Sequence, residues 1–240
     1  KEITLSNEDF FRTMFGDLRD GAYAWTCTFP GDAKKASGAS WRGKLLQTFD
    51  EPLSRHDNNF VAISSHTSKR VEADVQGIHF MMLDDLGTKG VGLDQLPVAP
   101  SYVFETSSGN FQAGWRLENP ASVDAQAYKR FIKAVLEAGW GDKDADSAVR
   151  YCRLPVGANA KAAVCQANGG KPFETVVREW EPMRVFTLSA LAKAFSIEYE
   201  IALAAPQAPE SAPDWQSRRR LDGEVMDDVV SALDAINDGD

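Results

Sequence analysis

Apolar side chains recur at two periods along the first 200 residues, which predicts a mixture of helices and strands. Helical spacing predicts three helices, which span Ser6–Asp17, Val123–Ala138 and Leu188–Phe195. Ser6 and Asp9 resemble a capping box at the start of the first helix. The second helix has Ser122 as its expected N-cap and ends at Gly139, and Thr187 begins the third.

Seven other segments have the alternation, or the short apolar runs between turn residues, that are typical of strands. They are Ala22–Phe29, Asn59–Ser65, Gly77–Leu83, Ser101–Thr106, Asn110–Leu117, Val149–Leu154 and Phe173–Trp180. The loop Ser107-Ser108-Gly109 is short enough to require an antiparallel hairpin, and Gly109 can supply the positive φ that such loops need. The pattern therefore predicts an α+β fold.

The composition changes after residue 203. Ala204–Pro213 contains three prolines and little to bury, which is typical of a linker. Glu224–Ile236 then has apolar residues along one helical face, which a single helix cannot bury alone. We predict a domain over residues 1–203, a linker over 204–221 and the start of a truncated helical domain over 222–240.

The chain has 240 residues, of which 43% are hydrophobic, enough for a substantial core. Apolar runs stay well below the roughly 18 residues of a membrane span, and the chain begins at Lys1 without a basic-then-apolar leader. We expect a cytoplasmic protein. Three widely spaced cysteines without a C-x-x-C motif favour neither disulfides nor zinc.

A net charge of −9 argues at first against a nucleic-acid partner. Residues 206–240 alone carry nine acidic and three basic residues, which leaves 26 acidic and 23 basic residues on the rest of the chain. The body of the protein is thus nearly neutral, and its basic residues can still gather along a groove.

Asp84 and Asp85 end an apolar strand, where hydrophobic neighbours imply burial. Two anions held together near a core repel each other, and the usual remedies are a bound divalent cation or a raised pKa of one carboxyl. The alternative is a solvent-exposed Asp-Asp turn, which is the commoner explanation for an isolated pair.

A second acidic cluster, Asp142, Asp144 and Asp146, precedes a basic and turn-forming stretch that contains Arg150, Arg153, Asn159 and Lys161. A nucleotidyl-transfer site requires carboxylates that bind metal ions next to basic side chains that bind phosphate. The alternative is that these acidic and basic residues form ion pairs at the surface. In the hairpin, the period of two places Asn110 and Gln112 on one polar face, which can contact a ligand or simply be the wet side of an edge strand.

Together, Asp84–Leu86, Glu105–Ala113, Asp142 and the run Arg150–Lys161 resemble the archaeo-eukaryotic primase (AEP) superfamily. The closest branch is that of RepB-type plasmid primases and phage primase-polymerases. The resemblance extends from about residue 58 to residue 161, and the first 50 residues are not part of it.

This resemblance implies an α+β fold with an RRM-like mixed or antiparallel sheet as its catalytic core and with flanking helices. Asp84, Asp85 and Asp142 would be catalytic and would hold two Mg²⁺ or Mn²⁺ ions. The implied nucleotide contacts are Ser108, Asn110, Gln112, Arg153, Asn159 and Lys161.

This sequence differs from the superfamily motifs at two positions, and each difference predicts a particular local structure or contact. Many relatives have Asp-x-Asp as the first motif, whereas adjacent acids point to opposite faces unless the strand is interrupted. We therefore expect the strand to break at Asp85, helped by Gly87. Relatives also end the second motif in histidine, where this chain has Gln112, a neutral amide that can still donate to a phosphate oxygen.

The implied function is a DNA primase or primase-polymerase that uses a single-stranded DNA template and nucleoside triphosphates. Met226–Asn237 resembles the start of the helical domain that follows the primase in phage primase-helicases, although these 240 residues contain no Walker-type loop. One alternative is a non-catalytic single-stranded DNA-binding module, with Trp115 and Tyr102 as stacking platforms. Another is a metal-dependent phosphodiesterase.

Overall fold

The predicted mixture of helices and strands is present in the computed structural model, which describes residues 3–143 and 145–198. The described residues form four α-helices: α1 (Asn7–Phe15), α2 (Ala125–Glu137), α3 (Ala162–Ala167) and α4 (Leu188–Ala194). The strands are β1 (Tyr23–Phe29), β2 (Lys44–Leu45), β3 (Asn58–His66), β4 (Val75–Ile78), β5 (Phe80–Leu86), β6 (Tyr102–Ser107), β7 (Asn110–Leu117), β8 (Tyr151–Arg153), β9 (Ala158–Asn159), β10 (Phe173–Glu174), β11 (Val176–Trp180) and β12 (Val185–Phe186). The α+β class is confirmed.

The predicted linker and C-terminal helical tail lie outside the described residues, so the division into domains stays a prediction. Within the part of the chain that the structure describes, every helix is too short or too polar to cross a lipid bilayer.

The strands form two five-stranded sheets and a small pair. The first sheet has the order β2-β1-β3-β4, and β8 also pairs with β3. The second has the order β11-β6-β7-β12, and β5 also pairs with β7. Neighbouring strands are antiparallel except for β12, which runs parallel to β7. The candidate acids therefore belong to the second sheet, whereas Arg153 on β8 belongs to the first.

Helix α1 covers the core with an aromatic face. The Ser6 hydroxyl accepts a hydrogen bond from the Asp9 N–H at 3.0 Å, which confirms the predicted N-terminal cap. Phe10 is fully buried and meets the rings of Phe80 and Tyr102 edge-on, at centroid distances of 6.1 and 5.6 Å. These contacts tie the helix to the second sheet.

The predicted cap of α2 is wrong by two residues. Asp124 is the N-cap, and its carboxylate accepts the Ala127 N–H at 2.8 Å. Ser122 lies in a preceding 3₁₀ turn, where its hydroxyl donates to the Asn119 carbonyl at 2.8 Å. Both residue types cap helices well, so the local sequence does not choose between them. The predicted end is confirmed, because Gly139 has a φ of +93°.

The strand predicted over Gly77–Leu83 is in fact two strands in different sheets. His79 separates them: its N–H donates to the Ile63 carbonyl of the first sheet, and its own carbonyl accepts from the Leu117 N–H of the second, both at 2.9 Å. Because β4 and β5 both run into buried surroundings, the apolar pattern continues through the crossing. The segment Phe173–Trp180 likewise divides into β10 and β11.

His79 is buried at this crossing, where its Nδ1 donates to the Met14 carbonyl at 3.0 Å. Burial is the main cause that lowers the pKa of His79 to about 3, since the charged imidazolium would lose its hydration. A neutral histidine therefore links both sheets to the C-terminal part of α1.

Gly114 is required where β7 passes beneath the ring of Tyr102. A Cβ on Gly114 would lie 2.1 Å from a ring carbon of Tyr102, which is fully buried. We expect Gly114→Ala to reduce the free energy of unfolding by about 1–3 kcal/mol, because the core must shift to accept the methyl group. Urea denaturation measures the effect.

Gly38→Ala is the matched control, because a Cβ at Gly38 would meet nothing within 4 Å. Its effect should stay within about 0.5 kcal/mol. Equal losses in the two variants would show that the contact with Tyr102 is not the cause.

Candidate active site

The acidic pair lies at an interruption of β5, as predicted. Phe80 to Leu83 pair in regular register with β7, and the register then shifts before Leu86 pairs with Phe111. Asp85 has a φ of +56°, in the left-handed region that aspartate tolerates better than most residues. Its carbonyl accepts the N–H groups of Lys89 and Gly90, at 3.0 and 2.9 Å. The bulge therefore interrupts the regular alternation that would place the two adjacent carboxylates on opposite faces of the strand.

Asn110 and Lys89 position the carboxylate of Asp85. The Asn110 amide donates to Asp85 at 3.1 Å and to the Thr106 hydroxyl at 3.2 Å, and its carbonyl oxygen accepts from the Thr88 hydroxyl at 2.6 Å. Asn110 was predicted to contact nucleotide. In this conformation both N–H groups of its amide are engaged by the acid and the hairpin.

Lys89 connects Asp85 to Asp142. Its ammonium lies 2.9 Å from an oxygen of each carboxylate. These hydrogen bonds, with that to Asp85 the stronger, raise the pKa of Lys89 above its usual value. The backbones meet closely here, since a Cβ on Gly90 would lie 3.2 Å from the Cα of Gly141. The glycines therefore allow the loop after α2 to bring Asp142 beside the bulge.

Asp84 points toward different partners. Its carboxylate accepts the Asp85 N–H at 3.0 Å and lies 3.7 Å from the guanidinium of Arg150. Burial raises the pKa of Asp84, Arg150 opposes this shift, and the negative charge of Asp85 adds to it. The surroundings of Asp84 thus disfavour its charge, which a further cation would stabilise.

The three predicted metal ligands are near one another but are not gathered around one point. Across residues 3–143 and 145–198, no group of three His, Cys, Asp or Glu side chains is arranged to hold a metal ion. Two of the acids nevertheless share a single cation, the ammonium of Lys89, on a side chain that is 64% exposed. Carboxylate oxygens are the ligands that Mg²⁺ and Mn²⁺ prefer, so this donor set fits a divalent ion.

A cavity of about 360 Å³ opens beside Asp84. Its basic lining consists of Lys34, Arg150, Arg153 and Lys161. Burial lowers the pKa of Lys161, the positive charge of Arg153 adds to this shift, and Asp84 opposes it. Cations that lose hydration in a confined space attract anionic ligands, so the cavity suits a phosphorylated molecule.

Arg153 is held firmly at this cavity. Its guanidinium donates to the Asn58 side-chain oxygen at 3.3 Å and to the Ala158 carbonyl at 3.0 Å, and it lies 4.7 Å from the centre of the Phe60 ring. Burial lowers the pKa of Arg153 to about 10, against the opposing effect of Asp84. It is therefore a pre-oriented cation rather than a mobile surface residue.

Gln112 has a structural task that the sequence did not reveal. Its side-chain oxygen accepts the Arg153 N–H at 2.8 Å, and its NH₂ group donates to the Arg153 carbonyl at 3.2 Å and to the Tyr102 hydroxyl at 3.3 Å. This arrangement, the Gln112–Arg153 amide pair, joins β7 of one sheet to β8 of the other. The predicted phosphate contact stays a prediction, but the Gln112 amide is already engaged.

Asn159 and Ser108 were also predicted to contact nucleotide. Asn159 is buried, and its amide donates to the Thr106 carbonyl at 2.9 Å, which fixes the hairpin. Ser108 is exposed at the hairpin tip. Neither is among the described residues that line the 360 Å³ cavity.

Glu105, the first residue of the hairpin motif, also has a structural role. Its carboxylate accepts the Gly109 N–H at 2.9 Å and the Arg178 Nε–H at 2.7 Å, and it is 6% exposed. It thereby fixes the turn that presents Asn110 to Asp85.

Sequence reasoning missed Lys89 and Lys34. A lysine four residues after an acid was the available signal for Lys89, but this spacing implies contact only in a helix or a tight turn. Lys34 lies in a segment without a recognisable motif. Of the other acids in the second cluster, Asp144 is outside the described residues, and Asp146 is half-buried.

A family model and three solved structures show what this chain is similar to. The family model of the RepB DNA-primase N-terminal domain matches residues 61–200, more than half of the chain. The AEP domain of the cyanophage S-2L primase-polymerase is similar in structure, with a TM-score of 0.53 and 10% identity over 79% of this chain and 96% of that chain. That likeness shows the fold and confirms the predicted AEP-type core.

Two further structures align less closely. Primase RepB′ has a TM-score of 0.48 and 15% identity over 93% of this chain and 66% of that chain. The catalytic domain of primase RepB′ in complex with initiator DNA has a TM-score of 0.48 and 17% identity over 80% of this chain and 97% of that chain. No curated protein matches the sequence significantly.

The Gln112–Arg153 amide pair predicts that Gln112→Ala destabilises the fold. The substitution leaves the buried N–H and carbonyl of Arg153 without their partner, which should lower the free energy of unfolding by about 2–4 kcal/mol. Chemical denaturation of Gln112→Ala and of the exposed control Gln47→Ala checks this. If Gln112→Ala is as stable as the control, the amide pair does not hold the sheets together.

Proposed function

Because this chain belongs to the family of RepB DNA-primase N-terminal domains, we propose that it synthesises primers on single-stranded DNA by nucleotidyl transfer. The observation that supports this most is the shared cavity, in which Asp84 faces the cations Lys34, Arg150, Arg153 and Lys161. Carboxylates beside a cavity lined with basic side chains suit a reaction in which a hydroxyl group attacks a nucleoside triphosphate.

In this reaction a 3′-hydroxyl oxygen attacks the α-phosphorus, the bond to the bridging oxygen of the β-phosphate breaks, and pyrophosphate leaves. Negative charge builds on the attacking and leaving oxygens. Arg153, fixed by Asn58 and Ala158, is pre-oriented to stabilise phosphate charge without reorganisation. Lys161, whose pKa is lowered by burial, gains a favourable partner when a triphosphate enters.

Asp84, Asp85 and Asp142 are the proposed ligands of divalent ions. Such ions, when bound, would stabilise the attacking and leaving oxygens. Asn110 orients Asp85 from the hairpin, and Lys89 balances the charges of Asp85 and Asp142. The Lys89 side chain is 64% exposed, and exposed ion pairs contribute little to stability, so its ammonium can turn to solvent when a divalent ion binds.

The structure does not support the two residues that the non-catalytic DNA-binding alternative would use to stack on bases. Trp115 and Tyr102 are both fully buried, so neither ring can stack on a base. Trp115 instead donates to the Val98 carbonyl at 3.2 Å. The link to a helicase stays a prediction, because residues 204–240 are outside the described part of the chain.

One assay separates the three candidate functions. The protein is incubated with single-stranded template, labelled nucleotides and Mg²⁺ or Mn²⁺, and the products are resolved by length. New oligonucleotides complementary to the template support a primase. Template binding without synthesis would instead identify a binding module, and shortened template would identify a phosphodiesterase.

The acids give a prediction about activity. We expect Asp85→Ala and Asp142→Ala to lower the rate of primer synthesis by about 100-fold or more, because each removes a proposed metal ligand. Asp144→Ala and Asp146→Ala keep the same net charge as these variants and should retain most of the activity. An inactive Asp146→Ala beside an active Asp142→Ala would move the third ligand to residue 146 and undermine the placement of Arg153 and Lys161.

A second prediction concerns stability without metal. The raised pKa of Asp84 means that the folded chain holds this proton more tightly than the unfolded chain does. Ionisation above that pKa therefore costs stability, and Asp84→Asn should remove the cost. At pH 7 the Tm of Asp84→Asn should therefore exceed that of the wild type, by about 2–4 °C for each kcal/mol gained.

The pH dependence tests the cause. As the pH falls through the raised pKa of Asp84, the wild-type acid becomes neutral and the Tm difference from Asp84→Asn should disappear. Thermal melts with a chelator, across a pH series, measure it. A lower Tm for Asp84→Asn at pH 7 would mean that attraction to Arg150 outweighs burial.

A further inference from the structure

The cavity beside Asp84 is completed by a segment outside the family match. Residues 30–43 connect β1 to β2, whereas the family model matches residues 61–200. Three residues of this segment, Ala33, Lys34 and Trp41, line the same cavity as Asp84 and Arg153. The segment therefore adds its own chemistry to the site.

Trp41 presents an aromatic surface to this cavity. Its ring packs against Phe29 at 4.8 Å and Phe60 at 5.1 Å, and it is tilted 36° to the ring of Tyr151 at 6.2 Å. Trp41 itself is only half-buried and borders the cavity. It is thus supported from behind by other rings, while part of its surface can meet a ligand.

The other two rings of the cavity already carry cations. The guanidinium of Arg70 lies 4.0 Å from the centre of the Tyr151 ring, and that of Arg153 lies 4.7 Å from the centre of the Phe60 ring. These contacts occupy aromatic surface that a ligand would otherwise use. Trp41 is therefore the ring best placed to receive a flat, π-bonded group.

The backbone around Trp41 is fixed before any ligand binds. The Arg42 carbonyl accepts the Trp25 indole N–H at 2.9 Å and the Tyr151 hydroxyl at 3.3 Å. Gly43 has a φ of +65°, and a Cβ there would lie 2.4 Å from the Tyr151 hydroxyl oxygen. Only glycine permits this close approach, which pins the segment to β1 and β8.

Size and charge identify the class of ligand. The cavity volume of about 360 Å³ is in the range of small-molecule sites. A nucleoside triphosphate combines a flat base, which stacks on tryptophan, with a tail whose negative charges match Lys34, Arg153 and Lys161. The same cavity reaches Asp84, where the proposed chemistry takes place.

We propose that Trp41 is the stacking surface for the base of the incoming nucleoside triphosphate and that Lys34 contacts its phosphates. This inference rests on the proposed primase function and adds to it a base-binding subsite built from residues 30–43. The turn that carries Lys34 is held locally, because the Lys34 backbone N–H donates to the Asp32 carboxylate at 2.9 Å.

Steady-state primer synthesis on a single-stranded template tests the subsite. Trp41→Ala should raise the KM for nucleotides about 10-fold or more and change kcat little, because a base contact far from the reacting atoms mainly affects binding. Trp41→Phe should restore most of the affinity, since it keeps an aromatic face. The affinity for template DNA, measured by fluorescence anisotropy, should be equal in all three proteins.

The two neighbouring lysines provide a matched control. Lys34→Ala should raise the KM for nucleotides about fivefold, whereas Lys35→Ala removes the same charge from the same segment and should leave the KM unchanged. Lys35 is exposed and does not border the cavity. Equal effects of the two substitutions would mean that the KM depends only on the total positive charge of the segment. That result would overturn the proposed contact between Lys34 and the phosphates.

Direct binding separates this inference from the proposed function. Ribo- and deoxynucleoside triphosphates are titrated with Mn²⁺ into wild type and Trp41→Phe while tryptophan fluorescence is recorded, and circular dichroism verifies folding. Quenching in wild type that is largely lost in Trp41→Phe supports the subsite, even if no primer is made and the primase proposal fails. Active synthesis with unchanged quenching in Trp41→Phe and unchanged KM in Trp41→Ala would overturn the subsite and leave the primase proposal intact.

Discussion

The Gln112–Arg153 amide pair is the contact on which the geometry of the site depends. It connects β7, which pairs with the acid-bearing strand β5, to β8, which carries Arg153 and belongs to the other sheet. Because Gln112 is 1% exposed, breaking the pair would leave a peptide group without partners in a region where water cannot replace them. Anionic and cationic sides of one cavity are thereby held at a fixed separation.

The acidic side chains of the site form ion pairs with its basic side chains, so their charges partly balance one another. Arg150 lies beside Asp84, and Lys89 bridges Asp85 and Asp142. The raised pKa of Asp84 shows that this balance is incomplete, since burial outweighs the attraction of Arg150. The site therefore has a partly uncompensated acid on one side and several cations on the other. This arrangement suits a ligand that carries negatively charged phosphates and is bound together with a metal cation.

Local sequence signals succeeded where neighbouring residues decide the conformation. The Ser6 cap and the turn at Gly109 depend on the chemistry of a few adjacent residues, and both were predictable. The interruption at Asp85 was expected because adjacent acids depart from the motif of the family that the chain resembles. The crossing at His79 was not, because residues 77–83 are buried on both sides of it and the apolar pattern continues through them. The N-cap of α2 was missed for a related reason, since Ser122 and Asp124 are both good caps and only packing selects one.

The sequence by itself determined the α+β class, the hairpin and the order of acidic and basic motifs, because these follow from periodicity, turn chemistry and residue type. Only the tertiary structure decided that Lys89 joins Asp85 to Asp142, that Gln112 pairs with the peptide group of Arg153, and that Trp41 reaches the cavity of Asp84. Each of these depends on which segments, distant in the chain, come to lie side by side. Spacing along a sequence carries no such information, since the register between sheets is set by the packing of the whole core.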